Sequence, residues 1–255
     1  MVRLRVLGLC VMGVLAVSAA LAAVASAEAP EMGRCKKEAT KTHTYANVGC
    51  TKLATKPGTG SYEWYPGAGP KNKFTGVGGV GTLETVSKAT VVCKTEASSG
   101  EFTSPKTAGN IEVKFTGCES AGNVCDTQHA AAGEIVTNLL AGTVRWENKA
   151  LKKAALDLVP QETELFVEFN CGPANVKVKG SVLTNVKTGT METKVVMKFT
   201  AKNGKQKPEY YETASGEKVK DVLESKLGAP PFEQAGQTIT NTQTDEEALE
   251  VNWFV

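Results

Sequence analysis

Two histidines, His43 and His129, are the only side chains of the sequence whose ordinary pKa suits general-base catalysis at neutral pH. Neither is accompanied by a signature of nucleophilic or zinc chemistry, because the sequence contains no Gly-x-Ser-x-Gly turn and no His-Glu-x-x-His pair. His43 lies in a polar stretch, and His129 precedes three alanines. The residue types therefore predict ordinary surface or capping histidines, with no catalytic residue, no metal site and no cofactor.

Cysteines carry the clearest chemistry. Six of the seven follow residue 27, and an even number in an exported chain predicts disulfides at Cys35, Cys50, Cys93, Cys118, Cys125 and Cys171. Metal ligation is the alternative, but the two closest cysteines are seven residues apart, which is not zinc-finger spacing. With Cys35 joined to Cys50, the preferred pairing is Cys93–Cys118 with Cys125–Cys171. Cys118–Cys125 with Cys93–Cys171 is nearly as good.

Carboxylates and aromatic side chains are the other groups that could act on a ligand or bind one. A glycosidase needs two carboxyl groups that flank the scissile bond. The candidates in or near predicted strands are Glu134, Glu147, Glu164 and Glu168. Exposed glutamate on a strand face is nevertheless the ordinary case. Tyr62, Trp64 and Tyr65 could stack on sugar rings, and the alternative is a small core that packs over the Cys35–Cys50 loop.

A glycine-rich stretch, Gly76-Val77-Gly78-Gly79-Val80-Gly81, has the glycine spacing of dinucleotide-binding loops. That chemistry needs a strand before the glycines and a helix after them. Here a polar loop precedes them, and a strand-like run follows at residues 82–86. Pro66, Pro70 and the glycines instead predict a linker over residues 66–81. The predicted organisation is a signal peptide at 1–27, a small Cys-containing N-terminal segment with this linker at 28–80, and a main β domain at 81–255.

The first 27 residues predict the compartment. Arg3 and Arg5 precede an uncharged stretch that ends in Ala25-Ser26-Ala27, the small residues that signal peptidase requires. The alternative is an uncleaved anchor, because the uncharged stretch is about long enough to span a bilayer. Cleavage removes both arginines, and with them the whole formal charge of +2. A neutral mature chain gives no support for a nucleic-acid partner, and no membrane span is expected after cleavage.

Short runs of alternating apolar and polar residues fill the sequence after residue 81. They include Ile111–Phe115, Leu165–Phe169, Val176–Val182, Val195–Phe199 and Leu249–Trp253. This period of two, with Gly, Pro or Asn between the runs, predicts an all-β fold in which one face of each sheet is wet. We expect an antiparallel sandwich or a barrel-like sheet, stabilised by disulfides, with helix confined to a turn or two at 128–132 and 217–227.

Two local patterns refine this prediction. Asn203-Gly204 supplies the two positive φ angles of a type I′ turn, so residues 192–201 and 206–212 are predicted to form a hairpin. Pro208 places the returning strand at an edge or a bulge, because proline has no backbone N–H. Threonines at every second residue from Thr238 to Thr244 predict one solvated strand face.

Several segments together resemble a large set of secreted, cysteine-containing proteins of unknown function from soil actinobacteria. These segments are Cys93–Glu96, Phe115–Ser120, Gly133–Thr137, Val178–Val182 and Phe232–Gly236. The resemblance covers about residues 80–255, and the Tyr62-Glu63-Trp64 segment is similar to an N-terminal extension in many members. It implies export and paired cysteines, and it implies no activity.

The sequence thus favours an exported protein that is secreted or associated with the cell envelope. Its expected role is binding or structural, without catalysis. An envelope polysaccharide or another extracellular protein is the expected partner. The alternative is a secreted polysaccharide hydrolase that uses strand carboxylates. The composition, 41% hydrophobic and 22% charged over 255 residues, excludes a disordered tail protein, a coiled coil and a multi-pass membrane protein.

Export and oxidation are testable on the purified protein. We expect the mature chain to begin at Glu28 and to have an intact mass six hydrogens below the fully reduced value, because three disulfides form. Mass spectrometry before and after reduction measures both. Free thiols that react with an alkylating agent in the native protein would contradict the disulfide prediction.

Overall fold

The computed structural model describes residues 29–228 and 231–253. The predicted signal peptide and its cleavage site lie outside these residues. In the described part of the chain the secondary structure is entirely β, and every pairing between its strands is antiparallel. The all-β, antiparallel, barrel-like fold expected from the alternating runs is therefore confirmed.

The strands run in chain order as follows. The first seven are β1 (Glu31–Lys37), β2 (Tyr62–Pro66), β3 (Lys73–Gly78), β4 (Gly81–Thr85), β5 (Thr90–Cys93), β6 (Thr95–Ser104) and β7 (Thr107–Thr116). The next seven are β8 (Glu119–Ser120), β9 (Asn123–Asp126), β10 (Glu134–Val136), β11 (Leu140–Asn148), β12 (Lys153–Pro160), β13 (Leu165–Cys171) and β14 (Ala174–Gly180). The last seven are β15 (Val182–Val186), β16 (Glu192–Lys202), β17 (Lys205–Lys207), β18 (Tyr210–Glu212), β19 (Lys218–Lys220), β20 (Leu223–Leu227) and β21 (Glu233–Asn252).

Two closed rings of strands share β21. The first ring runs β21-β3-β6-β7-β11-β12-β15-β16 and returns to β21. The second ring runs β21-β4-β5-β8-β9-β13-β14-β20 and returns to β21. Residues 233–238 of this 20-residue strand belong to the second ring, residues 239–249 belong to the first, and residues 250–252 pair with β1. Closure leaves neither ring with a free sheet edge.

The closure of the first ring is uneven. Strands β11 and β12 pair along most of their length, whereas β15 and β16 meet through one registered pair, Asn185 and Lys198. We call this junction the seam. Apolar residues on alternate positions of both rings fill the interior as one core, which runs from Phe74, Ile111 and Met197 in the first ring to Phe169 in the second.

Three disulfides are present, and they join Cys35 to Cys50, Cys93 to Cys118 and Cys125 to Cys171. This is the first of the two pairings that the sequence left open. Cys93–Cys118 and Cys125–Cys171 connect strands of the second ring, where β8 and β9 have only two and four residues. Each crosslink removes conformations from the unfolded chain, which offsets the small number of hydrogen bonds that such short strands make.

The glycine-rich stretch corrects one prediction. Residues 73–78, predicted as part of a linker, form β3, which pairs with both β6 and β21 in the first ring. The predicted N-terminal segment at 28–80 therefore contributes a strand to the main β structure. The helical alternatives are also wrong: residues 128–132 form a turn, and 217–227 contains β19 and β20.

The predicted hairpin is present in a shorter form. Strands β16 and β17 pair across Asn203 and Gly204, whose φ angles are 55° and 70°. The returning strand ends at Lys207, directly before Pro208, and the next strand, β18, pairs with β19 and β11 instead. Gly204 packs so closely on Thr85 of β4 that a Cβ would lie 2.2 Å from the Thr85 carbonyl carbon.

Gly204→Ala tests this close approach. We expect a loss of about 2–5 kcal/mol in the free energy of unfolding, because a Cβ both strains the positive φ and collides with β4. Gly216→Ala is the matched control: its φ is +84°, yet nothing lies within 4 Å of a new Cβ, so only the backbone strain of about 1–2 kcal/mol applies. Equal losses in denaturant unfolding would contradict the contact.

Candidate functional site

The aromatic residues predicted to stack on a ligand do not form one platform. Trp64 is only 9% exposed, packs with Tyr62 against the Cys35–Cys50 disulfide, and donates its indole N–H to Glu31 Oε1 at 2.7 Å. Tyr65 points to the other face of β2, is exposed, and donates its hydroxyl to Glu38 at 2.7 Å. The small core over the disulfide, which was the alternative interpretation, is the arrangement present.

The glutamates predicted for a hydrolase are spread over separate strands. Glu134 on β10 pairs with Lys114 at 3.1 Å, and Glu168 on β13 pairs with Lys177 at 3.0 Å. Glu147 lies on β11, and Glu164 lies in the exposed loop before β13. These glutamates therefore do not line a shared cavity in the described structure.

The histidines are also apart from each other. His43 Nδ1 lies 3.6 Å from Glu63 Oε2, beside the N-terminal disulfide loop, and His129 lies in the turn between β9 and β10. Among residues 29–228 and 231–253, no group of three or more His, Cys, Asp or Glu side chains is arranged to hold a metal ion.

A cavity with a volume of about 150 Å³ lies inside the first ring. Most of its lining is apolar. The principal side chains are Phe74, Phe102, Ile111, Leu140, Leu156, Leu158, Phe166, Met197, Phe199 and Ile239. A second cavity of about 80 Å³ lies in the second ring, and five residues line both: Phe115, Thr137, Phe166, Val182 and Gln237. The interiors of the two rings are therefore neighbours.

One side of the first cavity is polar. We call Glu96, Ser98, Asn241, Gln243 and Asp245 the interior strip; they come from β6 and β21 and line the cavity. The Asn241 amide donates to Glu96 Oε2 at 2.5 Å and to Ser98 Oγ at 3.3 Å. The side-chain carbonyl of Asn241, a residue 5% exposed, has no hydrogen-bond partner. A buried acceptor without a donor is costly, so this oxygen is open to a hydrogen bond from a donor inside the cavity.

The glycines of β3 make room for this strip. Strand β3 lies between β6 and β21, so contacts between Glu96 or Ser98 and Asn241 must cross its inner face. A Cβ on Gly76 would lie 2.3 Å from Ser98 Oγ, and a Cβ on Gly78 would lie 2.5 Å from Glu96 Oε2. Glycine at these two positions is what permits polar side chains to meet above the strand.

Burial raises the pKa values of two carboxyl groups that line the cavity. Gln243 donates to Asp245 Oδ1 at 2.7 Å, yet desolvation raises the pKa of Asp245 to about 6. Glu250, further along β21, is 3% exposed, neither of its oxygens has a partner, and burial raises its pKa to about 7. Both carboxyl groups thus lie where a charge is costly unless something pairs with it.

The sequence analysis missed these residues, although a signal was present. The threonines at 238, 240 and 244 are exposed, as predicted for one face of the strand. The residues that alternate with the threonines are Ile239, Asn241, Gln243 and Asp245, so the opposite face is also largely polar although it is buried. A strand that is polar on both faces, opposite a strand with alternate glycines, indicates a polar interior.

A pair of aspartates lies on the outer side of the first ring. Asp157 of β12 and Asp221, which follows β19, interact with each other, and Ser181 donates its hydroxyl to Asp221. Arg145 Nε lies 3.4 Å from Asp157 Oδ2. The oxygens without a partner are Asp157 Oδ1 and Asp221 Oδ2, and one shared proton satisfies both. The pair lines none of the three cavities, so it fastens residues 208–222 to the ring.

Comparisons with known proteins complete this description. Neither the protein-family models, nor the curated proteins, nor the solved structures contain a match to this chain. Over the residues described, no helix has the length and apolar character needed to cross a membrane. Functional inference therefore rests on the geometry of the site.

The aspartate pair predicts how stability depends on pH. Desolvation first, and then the neighbouring Asp157, raises the pKa of Asp221 to about 7 from 3.8, so the folded chain retains a proton that the unfolded chain releases. The contribution of Asp221 to stability is therefore fully present below about pH 4 and is lost as the pH rises through 7. Asp221→Asn should remove on the order of 3 kcal/mol of this fall, because an amide keeps the contacts without titrating.

Chemical denaturation of both proteins between pH 4 and 8 measures the effect. Glu217→Gln, an exposed carboxyl in the same segment, is the control and should keep the slope of the original chain. A slope that Asp221→Asn leaves unchanged would show that Asp221 is ionised in the folded state at neutral pH.

Proposed function

We propose that this protein is an exported, non-catalytic binding protein that holds a small amphipathic organic molecule inside the first ring. The observation that supports the proposal is the cavity of about 150 Å³, whose lining is mostly apolar and includes the interior strip with its unpaired buried acceptor at Asn241. An apolar body fits the aromatic and aliphatic lining, while a polar group meets the strip. This combination is typical of small-molecule sites.

The size and lining of the cavity favour an organic ligand over water alone. A purely apolar cavity of roughly 150 Å³ stays dry and takes up benzene. The cavity of the first ring has a comparable volume, and its polar groups are confined largely to β6 and β21. A molecule of about the size of a substituted benzene therefore matches both the volume and the distribution of polar groups.

The alternative hydrolase has less support. Its candidate glutamates lie on separate strands, and the close carboxyl pair, Asp157 and Asp221, is buried under residues 208–222 rather than placed in a cleft. A polysaccharide chain would have no access to two carboxyl groups at once in either place. Binding without catalysis is the simpler function for this geometry.

Export is the setting in which we place this binding. Three disulfides suggest an oxidising environment. Secretion, association with the cell envelope through a polysaccharide or another extracellular protein, and the resemblance to secreted proteins of soil actinobacteria stay predictions. Tyr65 is the aromatic residue of the N-terminal segment that such an envelope partner could reach.

Toluene and benzyl alcohol are suitable probes, because both match the cavity in size and differ by one polar group. We expect each probe to raise the melting temperature of the oxidised protein as more of the cavity is occupied. At one hundred times its Kd, a probe adds about 2.7 kcal/mol to the free energy of unfolding. Ala108 lines the cavity, and Ala108→Leu should lower the affinity for both probes by at least about tenfold, because the larger side chain fills the space.

Ala97→Leu is the matched control, since Ala97 is exposed on the outer face of β6 and does not line the cavity. It should bind both probes as the original chain does. No stabilisation of the original chain by either probe, or equal binding by Ala108→Leu, would refute binding in the first ring.

A further inference from the structure

The donors and acceptors of the interior strip are unbalanced. The Asn241 amide group is already used by Glu96 and Ser98, and the Gln243 amide group is used by Asp245. The unpartnered buried atoms that face the cavity are acceptors: the Asn241 side-chain carbonyl and both Glu250 carboxyl oxygens. The Ser98 hydroxyl, which accepts from Asn241, keeps one donor, so a ligand that completes this lining must bring mainly donors.

The charges around the cavity are also unbalanced, because the lining has more acids than cations. Glu96, Asp245 and Glu250 line it, are each no more than 6% exposed, and form no ion pair within the described chain. The lining contains one cation, Lys187, and this lysine pairs with Glu192, which also lines the cavity. Three buried acids thus face one small apolar space without a counter-charge.

The groups on the outer side of Asp245 do not change this balance. A surface groove there is lined by Asp245 itself and by Lys73, Glu101 and Glu246, so it carries one cation and three acids. The Glu246 carboxylate accepts the backbone N–H of Lys73 at 3.2 Å, and Glu101 accepts the Asn110 amide at 2.7 Å. Asp245 consequently meets a net negative environment from both directions.

Proton uptake is one way to lower the charge of these buried carboxyl groups. Burial raises the pKa of Asp245 to about 6 and that of Glu250 to about 7, so protonation accounts for part of the charge near neutral pH. Pairing with a cation is the other way to stabilise a buried carboxylate, and it adds hydrogen bonds that a proton cannot.

We propose that the ligand of the first ring is a small primary amine with an apolar body, and that Glu96 and the Asn241 side-chain carbonyl receive its ammonium group. This inference rests on the proposed function. An ammonium group has three donors and no acceptor, which matches a strip whose unpartnered buried oxygen at Asn241 is an acceptor and whose Glu96 carries no ion pair. A hydroxyl has one donor and cannot neutralise Glu96. A carboxylate ligand would add a further acid to the cavity and is excluded from it.

The placement at Glu96 follows from the position of the unpaired oxygen. Asn241 donates to Glu96, so the Asn241 carbonyl and the Glu96 carboxylate belong to the same end of the strip. Asp245 lies four residues further along β21, about 13 Å away at strand spacing. A ligand of this size reaches one end only, and its ring then packs against the apolar lining.

Titration of the purified protein with four probes of one shape tests the proposal: toluene, benzyl alcohol, benzylamine and benzoate. At pH 7.5 we expect benzylamine to bind at least about tenfold more tightly than benzyl alcohol, and benzoate not to bind. Lowering the pH to 4.5 should weaken the binding of benzylamine and leave the binding of toluene unchanged, because protonation of Asp245 and Glu250 removes negative charge from the cavity lining. This pH series needs no variant.

A variant then tests the position. Glu96→Gln should reduce benzylamine binding at least about tenfold without affecting toluene, a selective loss that general damage to the cavity would not produce. Glu101→Gln, the same substitution in β6 at the surface groove, should bind all probes as the original chain does.

The outcomes separate this inference from the proposed function. If toluene and benzyl alcohol bind but benzylamine binds no better, or if Glu96→Gln leaves benzylamine unaffected, the amine proposal is wrong and the binding cavity stands. If no probe binds, both proposals fall together.

Discussion

Strand β21 is the constraint on which the rest of the structure depends. Its first residues close the second ring, and its remaining residues close the first, so neither ring is complete without it. The same strand contributes Asn241, Gln243 and Asp245 to the cavity and exposed threonines to the outer face. Because side chains alternate along a strand, the register that closes the rings also decides which polar groups face inward.

Burial of so many polar groups is possible because two residues of the neighbouring strand, β3, are glycines and have no side chain. Gly76 and Gly78 leave the space in which Glu96 and Asn241 meet. Glycine weakens a strand by roughly 0.5–1 kcal/mol relative to alanine, and β3 is held by ladders on both sides. The glycines therefore lower the intrinsic stability of β3, and they leave room for a polar surface inside an apolar core.

How much of this could be predicted depended on whether the signal was local. The alternating runs and the Asn203-Gly204 turn are local, and they predicted the fold class and the hairpin correctly. The glycines of β3 predicted a linker, which was wrong. Glycine is required there because Glu96 and Asn241, which are distant in the sequence, pack against the strand. The Asp157–Asp221 contact and the closure of the rings likewise depend on long-range pairing, which spacing alone does not reveal.

The seam between β15 and β16 has a consequence for how the first ring exchanges its contents. The first ring lacks the disulfides that tie the second ring together, and one registered pair joins these two strands. Local opening in proteins occurs where few hydrogen bonds must break. The seam is therefore the place where two neighbouring strands of the first ring can separate with the fewest ladder hydrogen bonds broken, while the disulfides hold the strands of the second ring together.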